Sequence, residues 1–343
     1  MEKMVTQVSY TTVPSLFPRG GIDTFPKNRF RRLRKNKKLR DLTSETDLSP
    51  ENLVYPIFVD ENLNERKEIP EMPGQYTYPL SEIINVGEEL VDLKIPAVLI
   101  FGIPSRKDPF GSSAYAEDGV VQKAVRLLKD TFADELLVIT DLCLCEYTDH
   151  GHCGIVKNGK VLNDETLEIY GKIAVSQAGA GADIIAPSGM MDGMVLAIRE
   201  ALDREGFSDV PIMSYAVKYN SVLYTPFRYA AQSAPKFGDR SSYQMDIRNS
   251  DEALREAKAD LEEGADILMV KPSFLDIIYR IKSELKVPTA TYCVSGEYVM
   301  LKASSVYFDE RRSVLEYHTC RKRAGADIII TYYAKDIARW LKD

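Results

Sequence analysis

The chain contains 343 residues, of which 45% are hydrophobic and 28% are charged, and its formal net charge at pH 7 is −7. This composition is typical of a globular protein with a sizeable core and excludes intrinsic disorder. The negative charge argues against nucleic acid as the main partner, and the sequence has no apolar run of about 18 residues that could span a membrane. Because no signal-peptide core follows Met1, and five cysteines are an odd number for a disulfide framework, we expect a cytoplasmic protein.

The first 40 residues differ in composition from the rest of the chain. Residues 1–28 contain scattered proline and glycine without a periodic pattern, which favours an extended arm outside the core. Residues 29–40 contain eight basic residues, a pattern typical of a solvated basic face or a nucleic-acid patch. Because the remainder is acidic, we expect residues 1–40 to form an oligomerisation arm that binds a neighbouring subunit, and residues 41–343 to form the main domain.

From residue 50 onward, short apolar runs alternate with segments of helical periodicity. Such alternation predicts parallel strands joined by crossover helices. The phrase Gly-Ala-Asp occurs at three of the joints, beginning at Gly181, Gly264 and Gly325, where a helix would end in the left-handed conformation. Eight such units favour a (β/α)8 barrel over an open doubly wound sheet, for which a glycine-rich phosphate turn is missing. The predicted strands are residues 53–59, 97–103, 136–142, 182–187, 211–216, 265–271, 288–295 and 326–332, and the predicted helices include residues 120–132, 165–180, 194–205, 252–263, 275–285 and 310–323.

Two lysines end neighbouring predicted strands. Lys271 follows an apolar run, and a lysine at the carboxyl end of a buried strand is partly desolvated, which lowers its pKa. A neutral amine can form a Schiff base with a ketone. Lys218 comes just after the preceding predicted strand (211–216) and at the same face of the sheet, so the two amines would be close and would disfavour each other's charged form. Taken alone, each lysine could also simply extend from its strand end to water.

Three cysteines follow the third predicted strand. Cys143, Cys145 and Cys153 have a Cys-x-Cys-x7-Cys spacing, which suits one zinc ion bound by thiolates. Three protein ligands leave a fourth position open for water or substrate, the catalytic pattern, although His150 or His152 could close it. The alternative is three cysteines that happen to lie near each other.

About thirty residues rich in aromatic side chains, glycine and proline follow Lys218. A connection of this length is long for a barrel loop and favours an active-site lid. Within it, Arg228 and Arg240 could bind a substrate carboxylate bidentately, or could make ordinary surface ion pairs.

Together these segments resemble the 5-aminolaevulinate dehydratase family, also called porphobilinogen synthases. The resemblance runs in family order from about residue 29 to the end. It implies a (β/α)8 barrel with an N-terminal arm, usually assembled as a homo-octamer, that condenses two molecules of 5-aminolaevulinate to porphobilinogen in haem biosynthesis. Besides the two lysine strand ends, the matching segments are Asp-Leu-Cys-Leu-Cys-Glu-Tyr-Thr-Asp-His-Gly-His-Cys-Gly at 141–154, Ala-Pro-Ser-Gly-Met-Met-Asp-Gly at 186–193, Phe-Gly-Asp-Arg at 237–240, Val-Ser-Gly-Glu at 294–297 and Gly-Ala-Asp-Ile-Ile-Ile-Thr-Tyr-Tyr at 325–333.

The resemblance also implies a role for individual residues. Lys271 would hold one substrate as a Schiff base, and Lys218 would hold the second. Zinc bound by the three cysteines would act as a Lewis acid near the second substrate. Glu256 matches the ligand of an allosteric magnesium found in some members. The residues matched to substrate carboxylates are Ser295 and Tyr332 for the first substrate, and Arg228, Arg240 and Gln244 for the second.

Some positions depart from the family pattern. Gly189 replaces a common aspartate, Thr225 and Tyr229 replace the usual glycine and acid around Pro-Phe-Arg, and the loop after Lys271 is about two residues shorter. None of these changes removes a residue expected to make or break a bond. Two other functions remain open: a Schiff-base aldolase, which needs neither the zinc cysteines nor a second lysine, and a degenerate homologue that serves only as an assembly or zinc-binding module.

Overall fold

The computed structural model describes residues 28–342, and the chain divides into two units, residues 1–45 and 46–343. The described part of the first unit contains a 3-10 turn at Phe30–Arg34 and helix α1 (Lys37–Leu42), neither of which has a buried residue. Asn36 caps α1, because its side-chain oxygen accepts a hydrogen bond from the Leu39 amide at 2.9 Å. The predicted arm up to residue 27 lies outside the described residues.

The second unit contains every strand of the described chain and all of its remaining helices. The helices are α2 (Ile83–Asp92), α3 (Val120–Phe132), α4 (Asn163–Gly179), α5 (Met194–Arg204), α6 (Thr225–Ala230), α7 (Asp251–Glu262), α8 (Leu275–Leu285), α9 (Ser295–Ser304), α10 (Glu310–Ala324) and α11 (Ala334–Lys342). The strands are β1 (Leu53–Asp60), β2 (Lys67–Glu68), β3 (Tyr76–Tyr78), β4 (Ala97–Ile103), β5 (Leu137–Leu142), β6 (Ile155–Lys157), β7 (Lys160–Leu162), β8 (Ile184–Pro187), β9 (Met213–Lys218), β10 (Ile267–Lys271), β11 (Thr289–Cys293) and β12 (Ile328–Thr331).

Eight parallel strands form the barrel. They lie in the order β8-β5-β4-β1-β12-β11-β10-β9, so neighbours in the chain are neighbours in space. An isolated bridge between Ile185 and Ile212 joins the two outer strands, β8 and β9, and brings the sheet close to full closure. This architecture confirms the predicted (β/α)8 barrel, in which the carboxyl ends of all strands meet at one face. Within residues 28–342 we find no helix with the length and apolar character needed to cross a membrane.

The three Gly-Ala-Asp joints have the predicted conformation. Their glycines have φ of +103°, +109° and +119°, which a side chain would disfavour. Each aspartate then accepts a hydrogen bond from a backbone amide at the start of the neighbouring strand, so the joint also fixes strand register. These bonds join Val138 to Asp183 at 2.7 Å, Ile212 to Asp266 at 2.8 Å, and Thr289 to Asp327 at 2.9 Å.

Most predicted strands begin or end one or two residues away from the observed strands, and the seventh is too long at its carboxyl end. Residues 288–295 were expected to be extended, but β11 ends at Cys293 and Ser295 is the first residue of α9. The cause is Glu297, whose carboxylate accepts a hydrogen bond from the Val294 amide at 2.7 Å and so satisfies an orphan donor at the start of the helix. Ser295 therefore lies at a helix N-terminus at the carboxyl face of the barrel.

Candidate active site

The structure places Lys218 and Lys271 side by side. They are paired residues at the ends of β9 and β10, and their side chains are only 4% and 5% exposed. Lys218 donates a hydrogen bond to the Ser188 carbonyl oxygen. Lys271 instead lies among aromatic rings, with its Nζ 4.3 Å from the centre of the Tyr292 ring. The two amines therefore share one buried site but have different surroundings.

Lys271 has the electrostatic properties of a nucleophilic amine. Burial, followed by the charge of Lys218, lowers its pKa to about 7, although the carboxyl groups of Asp141 and Glu146 act in the opposite direction. At neutral pH about half of the Lys271 side chains would then be uncharged. An ordinary exposed lysine is almost fully protonated at that pH and does not attack ketones.

Ser295 and Tyr332 lie on the Lys271 side of the site. The Tyr332 hydroxyl is 2.9 Å from that of Tyr292, the ring nearest Lys271. Ser295 Oγ accepts a hydrogen bond from the Phe227 amide at 3.0 Å, and the Phe227 ring centre is 5.0 Å from Lys271 Nζ. Two hydroxyl groups thus lie on this side of the site, and each already has a hydrogen-bond partner within the described chain.

The three predicted cysteines form one buried cluster. Ligand atoms of Cys143, Cys145 and Cys153 all lie within 4.8 Å of one another. Zinc–sulfur bonds of about 2.3 Å could span such separations, and a set of thiolates suits a soft divalent metal. Hydrogen bonds from the other two thiols lower the pKa of Cys153, whereas burial raises the pKa of Cys143. The donor set therefore fits a single metal ion.

Neither nearby histidine belongs to this cluster. His152 has both ring nitrogens engaged, at 3.1 Å from the Tyr243 hydroxyl and 3.0 Å from the Phe237 carbonyl. His150 Nδ1 accepts a hydrogen bond from the His152 amide at 3.1 Å. Among residues 28–342, the three cysteines come together as a group of three metal-ligating side chains, and no histidine joins them. A metal ion held by these thiols would take any further ligand from outside this group of three cysteines.

The segment after Lys218 covers the site and returns to its starting point. The Asn220 backbone amide donates a hydrogen bond to the Met245 carbonyl at 2.8 Å, and the Met245 backbone amide donates one to the Lys218 carbonyl at 3.1 Å. We call residues 219–245 the lid. Its middle is tied to the cysteine loop, because the Lys236 amide donates to the His150 carbonyl at 3.0 Å. The lid therefore connects the second lysine to the candidate metal site.

Three lid side chains carry hydrogen-bonding atoms that nothing in the described structure satisfies. Arg228 Nε, Arg240 Nε and both side-chain polar atoms of Gln244 are buried without a partner among residues 28–342. Buried polar atoms of this kind call for a ligand, a water or an ion. Burial, followed by the Arg240 charge, also lowers the pKa of Arg228, so an anion between the two guanidinium groups would relieve repulsion. This arrangement suits a carboxylate.

Glu256 lies on a helix and not at the strand ends that carry the two lysines. It is half-buried on α7 and lines a groove of about 270 Å³ together with Asp192, Asp260 and Glu263. Burial, followed by the charge of Asp192, raises the pKa of Glu256. The surroundings of Glu256 are therefore acidic.

Sequence reasoning gave no role to several residues that line the site. Asp141, at the end of β5, accepts a hydrogen bond from the Ser188 hydroxyl at 3.1 Å, and its second carboxyl oxygen is buried without a partner in the described chain. Burial and the charge of Glu146 raise its pKa to about 7, while the two lysines lower it. Tyr215 lies between the amines, with its ring centre 5.5 Å from Lys218 Nζ and 4.9 Å from Lys271 Nζ. The only sequence signal was their place at or near the carboxyl ends of strands.

Comparisons with known proteins give one consistent result. The family model described as delta-aminolevulinic acid dehydratase matches residues 27–340. A delta-aminolevulinic acid dehydratase of Halalkalibacterium halodurans is 55% identical over 319 residues, covering 92% of this chain and 97% of the relative. One from Bacillus subtilis is 55% identical over 320 residues, covering 92% and 98%.

A solved structure agrees with these relatives. Delta-aminolevulinic acid dehydratase (porphobilinogen synthase) from Toxoplasma gondii ME49, in complex with the reaction product porphobilinogen, superimposes with a TM-score of 0.89 at 42% identity. The match covers 91% of each chain. Both the sequence and the fold therefore lead to the same conclusion: this chain belongs to the delta-aminolevulinic acid dehydratase family of enzymes.

Proposed function

We propose that this enzyme condenses two molecules of 5-aminolaevulinate to porphobilinogen by holding each one as a Schiff base, the first on Lys271 and the second on Lys218. The observation that carries the assignment is the pair of buried lysines at adjacent strand ends. A carbon–carbon and a carbon–nitrogen bond must form between the two substrates, and holding both converts a bimolecular encounter into an intramolecular one. That conversion can lower a barrier by about 7–11 kcal/mol when the geometry is good.

The first substrate reacts at Lys271. The neutral amine attacks the ketone carbon, the carbonyl oxygen leaves as water, and a C=N bond replaces the C=O bond. A pKa of about 7 supplies enough neutral amine for this attack. The hydroxyl groups of Ser295 and Tyr332 turn from their present partners, the Leu223 carbonyl and the Tyr292 hydroxyl, and donate hydrogen bonds to the substrate carboxylate. The aromatic rings around Lys271 exclude water and so favour the uncharged amine.

The second substrate binds at Lys218. Its carboxylate lies between Arg228 and Arg240, with Gln244 close by, and uses the buried polar atoms that lack partners within residues 28–342. Bidentate contact with guanidinium groups fixes orientation as well as charge. Because these residues belong to the lid, binding of this substrate also holds the lid closed over both lysines.

Cys143, Cys145 and Cys153 hold the metal ion, which we propose to be zinc. Sulfur ligands favour zinc over magnesium or calcium. When bound, the ion would supply Lewis-acid chemistry close to the second substrate. The chain's own contribution is to keep three thiol groups together in a buried loop that the lid covers.

We propose a second, regulatory cation at Glu256. Magnesium prefers carboxylate and water oxygens, and the acidic groove on α7 offers Glu256 with Asp192 nearby. Addition of Mg²⁺ to the metal-loaded enzyme should raise activity, and Glu256→Gln should remove that response while leaving the basal rate unchanged. An equal response in both proteins would contradict the assignment.

We also propose that residues 1–40 are an arm through which subunits assemble into a homo-oligomer, an octamer in its full form. The described part of this segment has no buried residue, and a chain without a core needs a partner surface to become ordered. Deletion of residues 1–40 should reduce the mass of the assembly measured by light scattering. An assembly that loses only the mass of the deleted residues would exclude this role.

The deciding experiment incubates the zinc-loaded protein with 5-aminolaevulinate and measures porphobilinogen by a colour reaction. In parallel, borohydride is added to reduce any Schiff base, and peptide mass mapping locates the adduct. We expect product and an adduct on Lys271. An aldolase would give an adduct without porphobilinogen, and a degenerate homologue would give neither.

A further inference from the structure

A buried polar cluster lies beside the two chain segments that carry Lys271 and Ser295. It consists of Ser273, Glu297, Tyr317 and Arg321, which come from the β10–α8 loop and from helices α9 and α10. Glu297 is 3% exposed, Ser273 is fully buried and Arg321 is 9% exposed. None of these residues was given a role in the proposed reaction.

Glu297 connects the two segments that carry the first-substrate residues. One carboxylate oxygen accepts a hydrogen bond from the Val294 amide at 2.7 Å, immediately before Ser295. The other accepts one from the Ser273 hydroxyl, two residues after Lys271. A single carboxylate thus ties the start of α9 to the end of β10.

Arg321 and Tyr317 hold this carboxylate in place. The Tyr317 hydroxyl donates to Glu297 at 2.6 Å, and Arg321 Nη2 lies 3.7 Å from the same carboxylate oxygen. Arg321 Nε also donates to the Ser273 hydroxyl oxygen at 2.9 Å. The guanidinium stacks on the Tyr317 ring, with its carbon 3.1 Å from the ring centre. A buried carboxylate with this many partners has one position, because any displacement would leave charges unpaired.

The helix that begins at Ser295 is also packed against the lid. A side chain at Gly296 would lie 2.7 Å from Leu223 backbone atoms, so the contact admits only glycine. Ser295 Oγ donates to the Leu223 carbonyl at 3.2 Å. The position of Ser295 is therefore set both by the lid and by Glu297.

From this connection, we propose that Glu297 is a positioning residue that fixes the separation between Lys271 and Ser295, and so makes the first-substrate site select ketones that carry a carboxylate. The inference rests on the proposed function, in which Lys271 binds the ketone and Ser295 the carboxylate. Glu297 itself touches neither. A site built to hydrogen-bond a polar group discriminates strongly against molecules that lack it, provided the donor stays in place.

The test uses two ketones that differ in their carboxylate. Levulinate carries a ketone and a carboxylate, whereas 2-butanone carries the ketone alone. Schiff-base formation at Lys271 is measured by borohydride trapping and peptide mapping as a function of ketone concentration. Glu297→Gln keeps the size of the side chain. In this variant we expect the levulinate concentration for half-maximal trapping to rise about tenfold, because a displaced Ser295 would lose its hydrogen bond to the levulinate carboxylate. Trapping of 2-butanone should stay unchanged.

Two further variants keep the result interpretable. Glu316→Gln on α10 removes a carboxylate that is 65% exposed and paired with Arg312. This variant should not change the trapping of either ketone. Arg321→Lys keeps the positive charge but loses the hydrogen bond to Ser273. It should raise the levulinate concentration for half-maximal trapping, but by less than Glu297→Gln does. If Glu297→Gln does not fold, Arg321→Lys decides the question by the same criterion.

Three outcomes would overturn the inference. Equal weakening for both ketones would mean that Glu297 supports Lys271 or the fold in general. No change for either ketone would mean that Glu297 does not position the site. Failure of the unmodified protein to form an adduct at Lys271 would refute the proposed function itself, and the inference with it. With 5-aminolaevulinate, we also expect KM to rise in Glu297→Gln more than kcat falls.

Discussion

Around Lys271, Ser295 and Tyr332 have partners within the chain, whereas around Lys218 several polar side chains lack one among the described residues. Tyr332 is paired with Tyr292, and Ser295 bonds to lid backbone atoms. On the other side, Arg228, Arg240, Gln244 and Asp141 carry unpartnered atoms, and so does Tyr215 between the two amines. The three thiols there form a cluster that suits a metal ion.

This difference follows from the elements that carry each half. Lys271 and Ser295 lie on a barrel strand and at a helix N-terminus, and are joined by the Glu297 cluster. Lys218 faces two long loops, the cysteine loop and the lid, which contact each other through backbone hydrogen bonds. The first half is ready to bind a ketone without help, while the second is completed by a metal ion and a carboxylate.

The largest effect expected from this asymmetry concerns the two lysines. Lys271→Ala should reduce porphobilinogen formation by at least about 1000-fold, because a group that makes the covalent intermediate has no substitute. Lys218→Ala should reduce it similarly, yet the Lys271 adduct should remain trappable with borohydride, since the first half does not depend on the second. The measurements are product formation and peptide mapping of the reduced adduct.

The control for both lysine variants is Lys172→Ala, which removes an exposed side chain on α4 and should leave both measurements unchanged. Loss of the Lys271 adduct in a folded Lys218→Ala protein would show that the halves are not independent. Product formation by Lys271→Ala at the native rate would refute the assignment altogether.

Removal of the metal should act on one half only. In a chelator-treated protein, or in a Cys143→Ala, Cys145→Ala double variant, we expect product formation to fall at least about 100-fold through loss of several kcal/mol of Lewis-acid stabilisation. The Lys271 adduct and the circular dichroism spectrum should be retained. Metal content is measured by atomic absorption, and Cys320→Ala, a half-exposed cysteine on α10, is the control. Full activity in metal-free protein is the contrary outcome.

A smaller effect is expected on the pH dependence of trapping. The reactive form of Lys271 is the neutral amine, so the trapping rate should rise with pH through about 7. Lys218→Ala removes a positive charge that lowers this pKa, and the midpoint should move upward by roughly 1 unit, while the larger effect of burial persists. At pH 7 trapping would then be about fivefold slower.

The pH profile is measured with levulinate, and Lys258→Ala, which removes an exposed lysine on α7, should not move it. A midpoint near 10 in the unmodified protein would show that neither burial nor the neighbouring lysine lowers the pKa of Lys271. A downward shift in Lys218→Ala would show that the neighbouring lysine does not lower it.

The sequence predicts those parts of the molecule that have a local pattern. Helices α3 and α8 have the predicted bounds, because their apolar residues repeat with helical spacing. The end of β11 was predicted wrongly, since Val294 continues the apolar run of the strand and only the hydrogen bond to Glu297 starts a helix there. The sequence also predicts that both lysines lie at the carboxyl ends of strands, although the two segments share no local motif.

The buried polar contacts, in contrast, have no local pattern in the sequence. Ser273 lies 24 residues from Glu297 and 48 residues from Arg321 in the chain. Contacts between such distant residues leave no periodic signal in one sequence. The same holds for Asp141 and Ser188, which are 47 residues apart. Their roles follow only after the barrel has brought the strand ends together.

Gly189 illustrates how a departure visible in the sequence gains a cause in the structure. A Cβ atom at this position would lie 1.6 Å from the Tyr170 hydroxyl oxygen, so Tyr170 fills the space of a side chain. That hydroxyl donates to the Cys153 carbonyl at 2.6 Å. Tyr170 therefore supports the cysteine loop from a position that any larger residue at 189 would disturb.

Gly189→Ala should accordingly weaken the half of the site that contains the cysteine loop. Tyr170 would have to move, and its hydrogen bond to Cys153 would be lost or strained. We expect the free energy of unfolding to fall by about 1–3 kcal/mol, the usual cost of overpacking. The matched control is Gly179→Ala, where the nearest atom, on Phe207, is 3.7 Å from the added carbon. Denaturant titration compares the two variants, and metal affinity should fall only in Gly189→Ala. Equal stability and equal metal affinity in both would show that Tyr170 yields freely and gives the cysteine loop no support.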